Sequence, residues 1–158
     1  MNKPPLSLYY PAYVVEYAIV DSTVKFIDRK TLNVAGEWLG AVPKLAICKN
    51  VKTSELELSH CSEDWESLCS VQTAATLEAI KKIAEKHYQG IGSKWVETHY
   101  KESDAVALFE SEKESGKCSF CGKSHYDANI RNMIVSSDAR ICDNCVRTFY
   151  KELENGNS

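Results

Sequence analysis

Short apolar runs separated by polar turns predict an antiparallel sheet in the first half of the chain. The run YVVEYAIV at 13–20 is typical of a strand because it is rich in β-branched and aromatic residues. The segment ELELSHC at 55–61 alternates, with its two leucines and His60 on one face. A turn at 21–23 is expected to pair the second strand with the first. The predicted strands are 13–20, 24–29, 44–48 and 55–61.

The apolar pattern then changes to a helical period, which predicts a helix over 74–88. Leu77 and Ile80 fall on one side of this helix, and that side is expected to cover the sheet. Thr73 is the expected N-cap because its hydroxyl can accept from a backbone N–H group of the first turn. Gly90 is expected to end the helix.

These elements predict an α+β protein with two folded parts. Residues 1–99 form a small domain of antiparallel sheet plus helix, whose function no motif identifies. Residues 100–116 are strongly charged and form a connector, with a short helix, while 117–158 form a second unit. Three tryptophans are expected to anchor the core or edge of the first domain: Trp38, Trp65 and Trp95.

Composition and charge narrow the classes of function. The 158 residues are 44 % apolar and 26 % charged with a formal charge of −3, which is typical of a globular protein and lacks the basic excess of a nucleic-acid binder. No targeting segment and no apolar run of about 20 residues is present, so we expect no membrane partner. The seven cysteines, four of them in CxxC pairs, favour a metal site in the reducing cytoplasm over a disulfide framework.

The strongest chemical signal is the spacing Cys118-x₂-Cys121, then 20 residues, then Cys142-x₂-Cys145. Four thiolates at this spacing predict one structural Zn²⁺, held tetrahedrally with no position left for water or substrate. Gly122 suits the sharp turn after the first pair, where a positive φ is often needed. The alternatives are two redox pairs or four ordinary buried cysteines. Redox CxxC motifs usually occur singly within a βαβ pattern, which this sequence lacks.

The cysteine-containing region resembles the ClpX-type C4 zinc-binding domain, the zinc module of a bacterial protein-unfolding ATPase. The shared features are CSFCGKS at 118–124, an apolar cluster at 130–135 and IC-x-x-CV at 141–146. The resemblance implies a treble-clef-like fold in a bacterial protein, and a module that dimerises and docks other proteins without catalysing a reaction. It does not extend to the first domain, and the chain has no room for the ATPase.

A module of about 40 residues cannot bury all its apolar side chains, so some are expected to form an exposed patch. The candidates are Phe120, Ile130, Met133 and Ile134, which the resemblance implies for dimerisation or peptide docking. Val146, Phe149 and Tyr150 have helical spacing, which predicts a helix with Cys145 in its first turn. The alternative is that the four candidates pack on this helix. Nucleic-acid binding is not favoured, because 117–158 contains six Lys and Arg against five Asp and Glu.

We therefore expect a non-enzymatic adaptor or regulator that binds a protein partner or a second copy of itself. The alternatives are a nucleic-acid-binding regulator and an enzyme whose site lies in the first domain. Cys48, Cys61 and Cys69 are expected to be core residues, because unpaired cysteine is among the most buried residue types. His125 is expected to hydrogen bond at the surface, since the four cysteines complete the zinc shell.

Overall fold

The computed structural model describes residues 3–27, 29–124, 127 and 129–155. Its strands and helices form an α+β protein in which every strand pair is antiparallel, as the sequence predicts. The chain divides into two compact units, Met1–Val106 and Ala107–Ser158.

The first unit contains most of the strands. They are β1 (Ala12–Ile19), β2 (Lys25–Phe26), β3 (Asn33–Val34), β4 (Glu37–Trp38), β5 (Lys44–Asn50), β6 (Leu56–Cys61), β7 (Ser67–Ala74), β8 (Tyr88–Gln89) and β9 (Val96–Glu97). Helix α1 spans Leu77–His87, and the boundary between the units falls within α2, which spans Glu102–Ser115. The second unit continues with β10 (Met133–Val135), β11 (Arg140–Cys142) and α3 (Asp143–Asn155).

The core of the first unit is a five-stranded sheet in the order β7-β6-β5-β1-β9. Side chains alternate across β5, so Leu45 and Ile47 pack with Ile80 of α1 on one face. Ala46 and Cys48 point to the other face, where they pack with Trp65. Both faces are therefore buried, and the second core uses residues from the N-terminal segment and from loops in addition to the strands.

The second strand pairs with a partner that the sequence did not predict. Residues 24–29 were expected to pair with the first strand, but β2 pairs with β8, joining Lys25 to Gln89 and Phe26 to Tyr88. The expectation was wrong because both edges of β1 are taken, by β5 on one side and β9 on the other. A strand next in sequence has no edge left to use.

Helix α1 begins three residues later than predicted. Thr76, not Thr73, is the N-cap, and its side-chain oxygen accepts a hydrogen bond from the Ala79 N–H at 3.2 Å. Thr73 lies instead in β7, opposite Glu57 of β6. The mixed polar and apolar sequence of this edge strand gave no clear period, so it was missed.

The three tryptophans occupy different environments. Trp65 is 5 % exposed and Trp95 packs against the core under α1, as expected of anchors. Trp38 is 55 % exposed, so the expectation that it anchors the domain was wrong. It lies in the small β3–β4 hairpin, which pairs with no other strand among the described residues and is too small to cover an indole ring.

The charged connector is more regular than expected, because α2 is a helix of 14 residues. None of the helices in the described part of the chain has the length and apolar character required to cross a membrane.

Candidate metal centre

The first cysteine pair lies in a tight turn. The Cys118 N–H donates to the Lys123 carbonyl at 2.8 Å, and the Gly122 N–H donates to the Cys118 carbonyl at 2.9 Å. Gly122 has the predicted positive φ, +70°. This turn brings the chain back on itself, so that Cys118 and Cys121 can direct their sulfurs to one point.

The second pair is placed by a hairpin and a helix. Strands β10 and β11 pair with Met133 opposite Cys142, which ends β11. Helix α3 begins at Asp143, so Cys145 lies in its first turn, as predicted. Two hydrogen bonds connect the first pair to this hairpin: the Ser119 N–H donates to the Arg140 carbonyl at 2.8 Å, and the Arg140 N–H donates to the Ser119 hydroxyl at 2.9 Å.

These elements bring the four cysteine sulfurs within 4.8 Å of one another. The Cys118 and Cys145 sulfurs are 3.8 Å apart, and those of Cys121 and Cys142 are 3.7 Å apart. A tetrahedron with Zn–S bonds of about 2.3 Å has edges of about 3.8 Å. The spacing of the sulfurs therefore fits a zinc ion at their centre.

The electrostatics of the cluster also fit a dication. Burial alone would raise the pKa of the Cys118 thiol, but backbone N–H groups of Cys142, Cys121 and Phe120 outweigh it and lower that pKa to about 6. Burial and the neighbouring thiols raise the pKa of Cys145 to about 12. Cys118 therefore ionises readily, whereas ionisation of Cys145 is unfavourable without a cation. A bound Zn²⁺ would neutralise the negative charge of the thiolates.

Backbone N–H groups provide further support for the ligand sulfurs. The Cys142 N–H donates to the Cys118 sulfur, and the Cys145 N–H donates to the Cys142 sulfur, both at 3.4 Å. Such outer contacts orient thiolate ligands and offset part of their charge. Four cysteines complete a tetrahedral shell, so the arrangement has no open position for a reacting molecule.

Comparison with protein families agrees with this geometry. Residues 116–155 match the family model of the ClpX C4-type zinc finger. No curated protein and no solved structure matches the chain. The ClpX C4-type match and the four clustered sulfurs together support one structural zinc ion, and the resemblance seen in the sequence is confirmed. The order of turn, hairpin and helix is the treble-clef-like arrangement that the resemblance implies.

The four residues predicted to bind a partner separate into two pairs. Phe120 and Ile134 are exposed, at 59 % and 61 %. Ile130 is buried beside Cys118, and Met133 is half-buried against the same cluster. Ile130 therefore cannot take part in an exposed patch. It packs against Cys118 and Cys142 from the segment before β10, an orientation that an apolar run without a clear period does not reveal.

The helix after the metal site carries an apolar surface that the sequence analysis did not assign to binding. Phe149, Tyr150 and Leu153 of α3 are 37 %, 62 % and 69 % exposed, and no described residue of α3 is buried. The Phe120 ring meets Phe149 edge to face, with centroids 5.1 Å apart. We call these four residues the α3 face. Phe120 was already a predicted candidate, and the helical spacing of Phe149, Tyr150 and Leu153 was the available signal for the other three.

The remaining candidates do not form a second site. Cys48 and Cys61 are buried and Cys69 is half-buried. Burial raises the pKa of the Cys48 thiol and raises that of Cys61 to about 11, which opposes a nucleophilic role. Within the described ranges, only the four clustered cysteines are grouped for metal binding. His125 lies outside the described residues.

Proposed function

We propose that this protein is a non-enzymatic adaptor or regulator that associates with a second copy of itself through the α3 face. In this proposal zinc holds the fold of the module and the α3 face makes the contact. The observation that carries the proposal is the exposure of Tyr150 and Leu153, at 62 % and 69 %, on a helix with no buried residue in the described chain. Contiguous apolar surface of this kind marks interaction sites in soluble proteins.

A second copy is the partner that these observations favour most. The α3 face is made of Phe120, Phe149, Tyr150 and Leu153, and in a two-fold dimer it would contact the same surface of the second copy. Both signs of charge lie beside it on α3, with Arg147 and Lys151 near Glu152 and Glu154. Such a mixed surface permits self-pairing without net repulsion. The resemblance to a zinc domain that dimerises supports the same choice.

The metal centre supports a structural role in recognition. A closed shell of four thiolates supplies neither a bound water nor an open coordination position, the two features of catalytic zinc. Thiolate ligation also suits the reducing cytoplasm, where we place the protein. A role as an adaptor for bacterial proteolysis rests on the resemblance, and the first unit would then provide a second binding function.

Sedimentation velocity across a range of protein concentrations tests the proposal. The wild-type chain should shift from monomer to dimer as its concentration rises, with little change between about 0.1 and 0.5 M salt, because apolar contacts are not screened. Leu153→Ser and Tyr150→Ser should each weaken the dimer by roughly tenfold or more, as expected for losing a large apolar side chain from an interface.

Val71→Ser is the matched control for these variants. Val71 is 74 % exposed and lies in β7, outside the zinc module, so the same loss of apolar area should leave association unchanged. Each variant must still hold one zinc ion per chain. A monomer at every concentration would refute self-association. An equal loss of dimer affinity in Val71→Ser would show that the contact does not lie at the α3 face. Salt-sensitive binding to DNA or RNA would support the nucleic-acid alternative.

A further inference from the structure

A cavity of about 470 Å³ lies in the first unit beside the loop that joins β6 to β7. This volume is within the range of about 300–1,000 Å³ that is typical of small-ligand sites. Its apolar walls come from Pro4, Pro5, Trp65 and Tyr100. No described residue of the zinc module lines it, so it is independent of the metal centre and of the α3 face.

The Trp65 wall is held in place by its loop. Trp65 has a φ of +65°, a left-handed conformation that is unfavourable for a bulky side chain. Ser62 supports it: the Trp65 N–H donates to the Ser62 carbonyl at 3.2 Å, and the Glu66 N–H donates to the Ser62 hydroxyl at 3.1 Å. The Tyr17 ring meets the indole edge to face with centroids 5.6 Å apart. The indole is therefore a fixed wall of the cavity.

Both aromatic walls already attract ammonium groups of this chain. The Lys3 Nζ atom lies 4.4 Å from the centroid of the Tyr100 ring, and the Lys44 Nζ atom lies 5.0 Å from that of Trp65. These distances are within the range of a cation–π contact. Lys44 is buried and its ammonium group is also held by Glu63, at 3.5 Å from the carboxylate. Lys3 is exposed, so its ammonium group can move from the ring into solvent.

The charges at the cavity favour a positively charged ligand. Glu63 and Asp64 carry carboxylates among the lining residues, and Lys3 is the cation among them. The Glu63 side chain is 77 % exposed, and Asp64 forms no ion pair with any described residue. Because Glu63 already pairs with Lys44, Asp64 is the lining carboxylate that remains for a ligand, and a cation with an apolar stem matches Asp64 and the aromatic walls together.

We propose that this cavity binds an alkylammonium group, which takes the place of Lys3 over the Tyr100 ring. The stem would lie against Trp65 and the prolines, and the ammonium group would face Tyr100 and Asp64. A free amine and the side chain of a lysine in a polypeptide offer the same chemistry. This binding activity does not depend on zinc or on self-association, so it stands apart from the function proposed above.

Titrations of the full zinc-loaded chain, followed by ¹H–¹⁵N spectra, test the proposal with three probes. Butylammonium represents a free amine, and N-acetyl-lysine amide represents a polypeptide. N-acetyl-norleucine amide has a butyl side chain without the charge. Both charged probes should shift the Trp65 indole and Tyr100 amide signals, and the neutral probe should not. If only the lysine amide binds, the ligand of the cavity is a lysine side chain of a polypeptide. Equal shifts by the neutral probe would overturn the proposal.

Two variants and a control localise the binding. Asp64→Asn should weaken the charged probes roughly fivefold, as expected for one partly exposed charge contact. Lys3→Ala should strengthen them, because it removes the competing ammonium group. Glu66→Gln removes an exposed carboxylate of the same loop that does not line the cavity, so it should change little. No binding to the Lys3→Ala chain, or the same loss in Glu66→Gln as in Asp64→Asn, would refute this site.

Discussion

The Cys121 and Cys142 sulfurs lie 3.7 Å apart, although the two residues are 21 positions apart in the chain. The contact depends on the bonds between Ser119 and Arg140, which hold the first turn beside the hairpin. Four thiols brought this close repel one another once they ionise, so the geometry is stable only with a cation at its centre. Removing the metal should therefore unfold the module.

Cys142→Ser should abolish zinc binding and unfold the second unit while the first stays folded. Structural zinc supplies much of the folding free energy of a module this small. Metal analysis should give one zinc ion per chain in the wild type and none in the variant, and ¹H–¹⁵N spectra should lose dispersed signals only beyond Ala107. Cys69→Ser is the control, since Cys69 is outside the cluster. Unfolding of both units together would contradict the division of the chain.

Gly122→Ala should weaken zinc retention without abolishing it. Gly122 has a φ of +70°, and an added Cβ would meet no atom within 4 Å, so the cost is backbone strain of about 1 kcal/mol. This corresponds to a change of roughly fivefold in the chelator concentration that removes half of the zinc. Gly40→Ala is the matched control, with the same free space and no positive φ. An unchanged chelator midpoint in Gly122→Ala would show that the turn relaxes around the new side chain.

The stability of the first unit should fall as the pH drops from about 6.5 to about 4. His60 is 1 % exposed, and burial lowers its pKa from 6.5 to about 4. In this window the unfolded chain takes up a proton that folded His60 does not. Burial, then the charges of Arg29 and Lys86, also lower the pKa of His87. Above the window neither state is protonated and below it both are, so the loss attributable to His60 is confined to the window.

Urea unfolding followed by tryptophan fluorescence measures this effect in the first unit, which contains all three tryptophans. The His60→Gln variant should lose about 3 kcal/mol less than the wild type across the window, because a neutral amide does not titrate. His99→Gln is the control, since the His99 side chain is 80 % exposed. Parallel pH profiles of the wild type and His60→Gln would show that folded His60 takes up its proton in the same pH range as the unfolded chain.

Replacing two tryptophans by alanine should have very different effects on the first unit. Trp65 is 5 % exposed, so Trp65→Ala should lower the free energy of unfolding by about 3–5 kcal/mol. Trp38 is 55 % exposed on the β3–β4 hairpin, so Trp38→Ala should lower it by less than about 1 kcal/mol. Urea titrations followed by circular dichroism compare the two without relying on the deleted fluorophore. Similar losses would mean that Trp38 is covered in solution.

The sequence predictions were accurate for features that depend on residues close together in the chain, and less accurate for features that depend on distant residues. The position of Cys145 in the first turn of a helix and the positive φ of Gly122 are local properties, and both predictions are confirmed. The strand at Ala12–Ile19 was also predicted to within one residue. The predicted pairing of β2 with β1 was wrong, because the actual pairing depends on which strand edges other segments occupy.

The sequence also could not predict which apolar residues of the zinc module are buried. Ile130 and Ile134 are identical residues four positions apart, yet the first is 8 % exposed and the second 61 %. Ile130 precedes the hairpin and packs on Cys118 and Cys142, whereas Ile134 lies within β10, opposite Ile141. No periodic pattern encodes that difference, because the segment before β10 is irregular.

The sequence by itself determined the α+β class and the four cysteines that form the zinc centre. Periodicity and ligand spacing reflect the geometry of single segments, so they can be read without the rest of the chain. Only the tertiary structure decided that the α3 face is exposed and that Pro4, Trp65 and Tyr100 surround one cavity. Those features bring together segments as many as 96 residues apart, as in the hydrogen bond that the Tyr100 hydroxyl donates to the Pro4 carbonyl. Such contacts form only when the whole unit folds.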